Sequence, residues 1–159
     1  MIVGSIKEDI TSEKRVSLTP ETAKNILGLG LKVCIEKNYA IHLGIDDSEY
    51  NKIGVEIKNS PDEVINLSNA IMKVNCPSEN EIKKLKENTI LIGMLNPSKN
   101  ENLINKIINK KIKIFSLELL PRITRAQSMD VLSSQSNLAG YRAVVDCVAE
   151  FEKAVPMMM

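Results

Sequence analysis

The sequence predicts an α/β fold, doubly wound around a mostly parallel sheet of the Rossmann-like or flavodoxin-like kind, with a long C-terminal helix. Three observations predict it. Short apolar runs alternate with amphipathic helical stretches up to Leu117, and the connections between them are short. The run Thr89 to Leu95 is almost wholly apolar, as a central parallel strand covered on both faces must be. About five strands are expected.

With 159 residues and 43% hydrophobic content, the chain is long enough for one domain with a real core. Lys and Arg number 21 against 20 Asp and Glu, a formal charge of +1, so no global field draws the chain to nucleic acid or an anionic membrane. The one basic cluster, Lys106 to Lys113, alternates with isoleucines and reads as a solvated helix end leading into a strand. Cys34, Cys76 and Cys147 lack the short spacing of zinc or redox pairs and read as reduced core residues. No metal site is expected. No apolar run approaches the ~18 residues of a membrane span.

Met1 to Ser5 reads as the first strand, followed by a polar loop from Lys7 to Leu18. Thr19-Pro20-Glu21 is a helix start: threonine can cap, proline is tolerated at the first helical position, and the acid sits at the positive end of the dipole. Ala23, Ile26 and Leu27 supply its buried face. Gly28 and Gly30 then close this helix before the strand Leu31 to Ile35. Their order is the reverse of a dinucleotide fingerprint, whose glycines follow a strand and open a helix.

Asp46 to Ser48 offer caps for a short helix through Ile53, and Val55 to Ile57 is a brief strand. Ser60-Pro61-Asp62-Glu63 repeats the cap, proline and acid pattern. The strand Ala70 to Val74, a helix from Ser78 through Glu87, the strand Thr89 to Leu95, a helix from Glu101 to Asn109 and the strand Ile112 to Leu117 follow. The closing helix is expected from Ser133 or Ser134 to Val155, about 33 Å at 1.5 Å per residue. Leu138, Tyr141, Val144, Val145, Val148, Phe151 and Val155 make its broad apolar face.

The stretch Leu117 to Gly140 interrupts this pattern and is the candidate site. Arg122, Arg125, Gln127, Asp130, Ser133 and Ser134 crowd into a loop leaving the carboxyl end of a strand, where open α/β sheets bind ligands. The loop has no histidine or cysteine, so acid, base and covalent catalysis are poorly served. Guanidinium, amide, carboxylate and hydroxyl groups suit holding a polar ring or carboxamide. A structural role is equally open, with Arg and Asp paired across the loop and Ser133 or Ser134 capping the helix. His42, between Ile41 and Leu43, reads as a loop or partly buried imidazole.

The run Pro121-Arg122-Ile123-Thr124-Arg125-Ala126-Gln127-Ser128-Met129-Asp130, continued from Val131 to Val144, resembles the alpha subunits of proton-translocating NAD(P) transhydrogenases. Lys7-Glu8 and the run Glu13 to Pro20 are similar to the opening shared by alanine dehydrogenases and transhydrogenases. The resemblance implies that residues 1–155 form the N-terminal domain of that type. Residues 156–159 would then be an apolar stub leading to an NAD-binding Rossmann domain outside this chain. It also implies that Arg122, Gln127, Asp130 and Ser133 lie over the nicotinamide of NAD(H). The acceptor, NADP(H), would sit on a partner domain or subunit.

Hydride would pass directly between the two nicotinamides, coupled to proton movement in a membrane part, with no acid or base residue in this loop. The other implied properties are a homodimer in the full-length protein and a cytoplasmic location peripheral to the inner membrane through partner subunits. The fragment alone is expected to bind NAD(H) weakly and to turn nothing over. Two alternatives stand beside this reading. In an alanine-dehydrogenase-like substrate domain Arg15 and Lys73 would bind substrate, but Asn96 stands where that enzyme's histidine is expected and cannot titrate. The other alternative is a non-catalytic assembly module.

Overall fold

A computed structural model describes residues 1–153, and the chain divides into two compact units, Met1–Leu117 and Glu118–Met159. The expected stub at 156–159 and Val155 therefore lie outside the described residues. In the first unit the strands are β1 (Ile2–Ser5), β2 (Lys32–Glu36), β3 (Glu56–Lys58), β4 (Ala70–Asn75), β5 (Ile90–Met94) and β6 (Lys113–Ser116). They form one sheet of six strands rather than about five, ordered β3-β2-β1-β4-β5-β6, with every pairing parallel. That order is the Rossmann one and not the flavodoxin one.

Five helices connect these strands: α1 (Pro20–Gly28), α2 (Asp47–Lys52), α3 (Pro61–Leu67), α4 (Glu79–Lys84) and α5 (Glu101–Asn109). Alternation along β2 sends Val33 and Ile35 into one core cluster and Cys34 into another. The first cluster gathers Ala23 of α1 and Tyr50 of α2; the second gathers Val64 of α3, Ile82 of α4 and Ile107 of α5. The sheet is thus covered on both faces, which is why its central strands are apolar throughout.

Local chemistry sets the helix starts. Thr19 and Ser60 accept the amides of Thr22 and Glu63, each with a proline at the helix start, as expected. Gly30, at φ +77°, terminates the α1 turn in the left-handed region that glycine tolerates. Helix α4 is shorter than the expected Ser78 to Glu87, because Leu85 leaves in an extended conformation. The Lys110 ammonium then takes up the carbonyls of Ile82, Lys83 and Leu85 at 3.0, 2.6 and 3.0 Å, a C-cap supplied from a distant residue. Lys106 and Lys111 of the same basic cluster pair with Glu79 and Glu87.

The second unit carries two 3-10 helices, Leu117–Leu119 (which begins at the last residue of the first unit) and Thr124–Met129, and then α6 (Val131–Ala149). Helix α6 starts two or three residues before the expected Ser133 or Ser134, because Asp130 supplies the cap. It ends before Val155: the Phe151 amide turns back to the Val148 carbonyl at 3.3 Å, closing the last turn with a three-residue bond. The expected apolar face has the right spacing but is not packed. No residue of α6 is buried, and Leu138, Tyr141, Val144, Val145 and Val148 are all exposed. Cys147 is exposed too, so only Cys34 is a buried core cysteine; Cys76 is half-buried, and all three are free. Among the described residues no helix is long and apolar enough to cross a membrane.

Candidate functional site

Proline sets the geometry of the candidate loop. Pro121 has no amide to continue the first 3-10 helix, and its carbonyl accepts the Ile123 amide at 2.9 Å. Ile123 is extended, and its carbonyl takes the Ala126 amide at 2.9 Å, opening the second 3-10 helix. This path wraps a cleft of about 270 Å³ between Leu120 and Asp130. Arg122, Gln127 and Asp130 line it with Thr124, while Leu120, Ile123 and Ala126 provide apolar surface.

Asp130 does two things at once. It lines the cleft and caps α6: its Oδ1 accepts the Ser133 amide at 3.0 Å and its Oδ2 accepts the Ser133 hydroxyl at 2.6 Å. Those two bonds, and more weakly the charge of Arg122, hold the Asp130 carboxyl below its ordinary range, so it is an anion at neutral pH. The cleft presents an acceptor at Asp130, a cation at Arg122, a carboxamide at Gln127 and a hydroxyl at Thr124.

Three of the four residues expected over the ring therefore share one cleft. Ser133 does not line it; its hydroxyl proton is spent on Asp130. Arg125 and Ser134 do not line it either, and Ser134 donates to the Val131 carbonyl at 3.2 Å. The expected structural alternative is thus half realised, with Asp130 rather than a serine as the cap. Thr124 and the apolar surface of Leu120 and Ile123 are not marked by the sequence pattern, although all three lie within the Pro121 to Asp130 run or immediately before it.

A second polar centre lies in the first unit, where the strand order reverses. Strand β1 pairs with both β2 and β4, and beyond their carboxyl ends lies a crevice of about 320 Å³. Lys73, only 6% exposed, sits there between Glu81 at 2.9 Å and Glu8 at 3.7 Å. Burial pushes the Glu8 carboxyl up, against the opposing pull of the Lys73 charge. Arg15 grips Glu13 through Nε at 2.8 Å and Nη2 at 2.7 Å, and the Arg15 amide adds a third bond to the same carboxylate at 2.9 Å.

Arg15 and Lys73 are thus in ion pairs within the chain. Asn96 occupies a turn at φ +45°, where its carbonyl receives the amides of Lys99 and Asn100. His42 is half-buried, and its Nε2 donates to the Lys14 carbonyl at 2.8 Å. Among the described residues, no group of three or more His, Cys, Asp or Glu could hold a metal ion.

Comparison with known proteins gives a consistent set of matches. The family model described as "Alanine dehydrogenase/PNT, N-terminal domain" matches residues 4–139. The first of the separate chains that make up the NAD(P) transhydrogenase alpha subunit of Rickettsia prowazekii (strain Madrid E) is 38% identical over 163 residues, covering 100% of this chain and 43% of that protein. Its counterpart from Rhodospirillum rubrum is 38% identical over 164 residues, with the same coverage of 100% and 43%. The crystal structure of transhydrogenase from Sinorhizobium meliloti superposes with a TM-score of 0.91 at 40% identity, covering 100% of this chain and 47% of that one. The chain spans less than half the length of each of these relatives.

Proposed function

We propose, from the premise that this chain belongs to the alanine dehydrogenase/PNT N-terminal domain family, that it is the N-terminal part of the NAD(H)-binding component of an NAD(P) transhydrogenase. In this reading the loop of the second unit holds the nicotinamide. One observation carries it: Arg122, Gln127 and Asp130 converge on one cleft over apolar surface, the donor and acceptor set that a primary carboxamide on a flat ring requires. At about 270 Å³ the cleft falls below the roughly 300–1,000 Å³ that bury a drug-sized ligand, so it suits the ring and not the whole dinucleotide.

The chemistry asked of these residues is orientation. When bound, the dihydronicotinamide of NADH supplies the hydride, and the acceptor is NADP+ on a partner domain or subunit. Arg122 donates to the carboxamide oxygen and Asp130 accepts from its nitrogen, fixing which ring face is presented. Gln127 reaches towards the partner. None of them needs to exchange a proton with a reacting atom, which agrees with a loop that lacks histidine and cysteine. The same reading carries coupling to proton translocation, a homodimer in the full-length protein and a cytoplasmic position at the membrane through partner subunits. Residues 1–155 would be its N-terminal domain, with 156–159 leading to a further NAD-binding domain.

The test is hydride transfer from NADH to thio-NADP+ in the complete enzyme. Arg122→Ala is expected to lower the rate about 100-fold, in line with the loss of an orienting contact. An unchanged rate would favour an assembly role. The amino-acid dehydrogenase alternative is opposed by the ion pairing of Arg15 and Lys73 within the chain and by the turn at Asn96. Reduction of pyruvate with ammonia by the complete enzyme would overturn the transhydrogenase reading.

A further inference from the structure

The resemblance puts Ser133 against the nicotinamide itself, and the geometry points elsewhere. We propose that Ser133 is a positioning residue, which fixes the Asp130 carboxylate at the rim of the cleft and makes no contact of its own with the ring. Its amide reaches Oδ1 at 3.0 Å and its hydroxyl reaches Oδ2 at 2.6 Å, so the two oxygens are held from one side by one residue. A carboxylate held at both oxygens has no freedom to rotate about its last torsion.

A carboxylate accepts about four hydrogen bonds, and this pair uses two of them. The remaining lone pairs are those available to a ligand N–H in the cleft, which Asp130 lines and Ser133 does not. A serine hydroxyl has a single proton to give, and here Asp130 takes it. Ser133 thereby keeps Asp130 an acceptor, the form that reads a carboxamide nitrogen. Arg122 is the charged side chain whose field also reaches Asp130, and it acts in the same direction. The binding half of this inference rests on the nicotinamide reading; the coupling of Ser133 to Asp130 does not.

Two measurements on the whole chain test it. In the first, the Asp130 carboxyl carbon is followed by NMR against pH in the wild type, Ser133→Ala and Ser133→Thr. The midpoint should rise towards the ordinary aspartate value in Ser133→Ala and return most of the way in Ser133→Thr, whose hydroxyl restores the bond. A midpoint unmoved by Ser133→Ala overturns the proposal. In the second, NADH is titrated into the wild type, Ser133→Ala, Asp130→Ala and the double variant, each checked for native helix content by circular dichroism. Ser133→Ala should weaken binding about tenfold when Asp130 is present and have no further effect when it is absent. An equal loss in both backgrounds means that Ser133 contacts the ligand directly and overturns the proposal. If no variant alters NADH binding, the nicotinamide reading falls, and the carboxyl titration alone decides the coupling.

Discussion

The Lys73 ammonium lies 2.9 Å from the Glu81 carboxylate at the point where the strand order reverses, with 6% of the lysine side chain exposed. Glu8 stands on its other side at 3.7 Å, so one cation serves two acids. Lys73→Met leaves both carboxylates facing each other in a buried setting. It should cost about 3 kcal/mol at pH 7 by urea denaturation, as expected when one partner of a buried pair is removed. The loss should shrink towards pH 4 as the acids protonate, and an unchanged midpoint at pH 7 would count against the buried triad.

Two glutamates near this centre should show opposite pH dependence. Glu8 protonates more readily in the fold than its ordinary value of 4.5. The stability it contributes is complete below that value and is lost as pH rises through the raised one. Glu8→Gln should therefore match the wild type in acid and exceed it near neutrality. Glu13 is lowered, first by the Arg15 side chain, from the same ordinary value of 4.5. Its contribution is present above 4.5 and disappears as pH falls through the depressed value. Glu13→Gln should lose about 1 kcal/mol at pH 7, with the gap closing in acid. Urea midpoints from pH 4 to pH 8 check both, and parallel pH curves would contradict the assignment.

The Tyr39 hydroxyl accepts the amides of Ser17 and Leu18 at 3.1 and 3.2 Å and shares a 2.7 Å bond with the Ser5 hydroxyl. Tyr50 makes a single bond, to the Leu18 carbonyl at 2.8 Å. Tyr39→Phe strands several buried groups and should cost about 2 kcal/mol, whereas Tyr50→Phe should cost about 1 kcal/mol. Denaturation of the two variants side by side reads the difference; the reverse order would refute the network.

Two strand glycines differ in what a methyl group would meet. At Gly93 an added Cβ runs into the Lys73 carbonyl of the neighbouring strand, and backbone cannot step aside. At Gly4 it meets the Ser68 hydroxyl and Val64, which are side chains. Both alanine variants should be destabilised by overpacking, by about 1–3 kcal/mol, with Gly93→Ala the worse. Ser68→Gly should recover part of the loss in Gly4→Ala and none in Gly93→Ala, as thermal melts would show.

Much of the fold is legible in the sequence because its signals are local. Thr19-Pro20 and Ser60-Pro61 carry cap and first turn within a few residues, and α1 and α3 begin there. The end of α4 is not legible, since it depends on Lys110, far along the chain, taking up its last carbonyls. The start of α6 differs from expectation for another reason. Serine and aspartate are comparable caps, and the choice falls to whichever backbone is extended there, at Asp130.

At the site, the sequence pattern marks Arg122, Gln127 and Asp130, which do share a cleft. It does not reveal that Ser133 faces Asp130, because an i, i+3 bond depends on where the helix begins. Nor can spacing reveal the Glu8, Lys73 and Glu81 cluster, whose members come from a loop, a strand and a helix. The apolar spacing of α6 is plain in the sequence, but periodicity says which residues share a face and not what packs against it.

The central claim is that the loop of the second unit, and not the crevice of the first, receives the nicotinamide. The most direct test is an amide NMR titration of the 159-residue chain with NADH. The account predicts shifts concentrated at Arg122, Thr124, Gln127 and Asp130 with weak affinity. Shifts centred instead on Glu8, Lys73 and Asn75, with the loop unmoved, would contradict it.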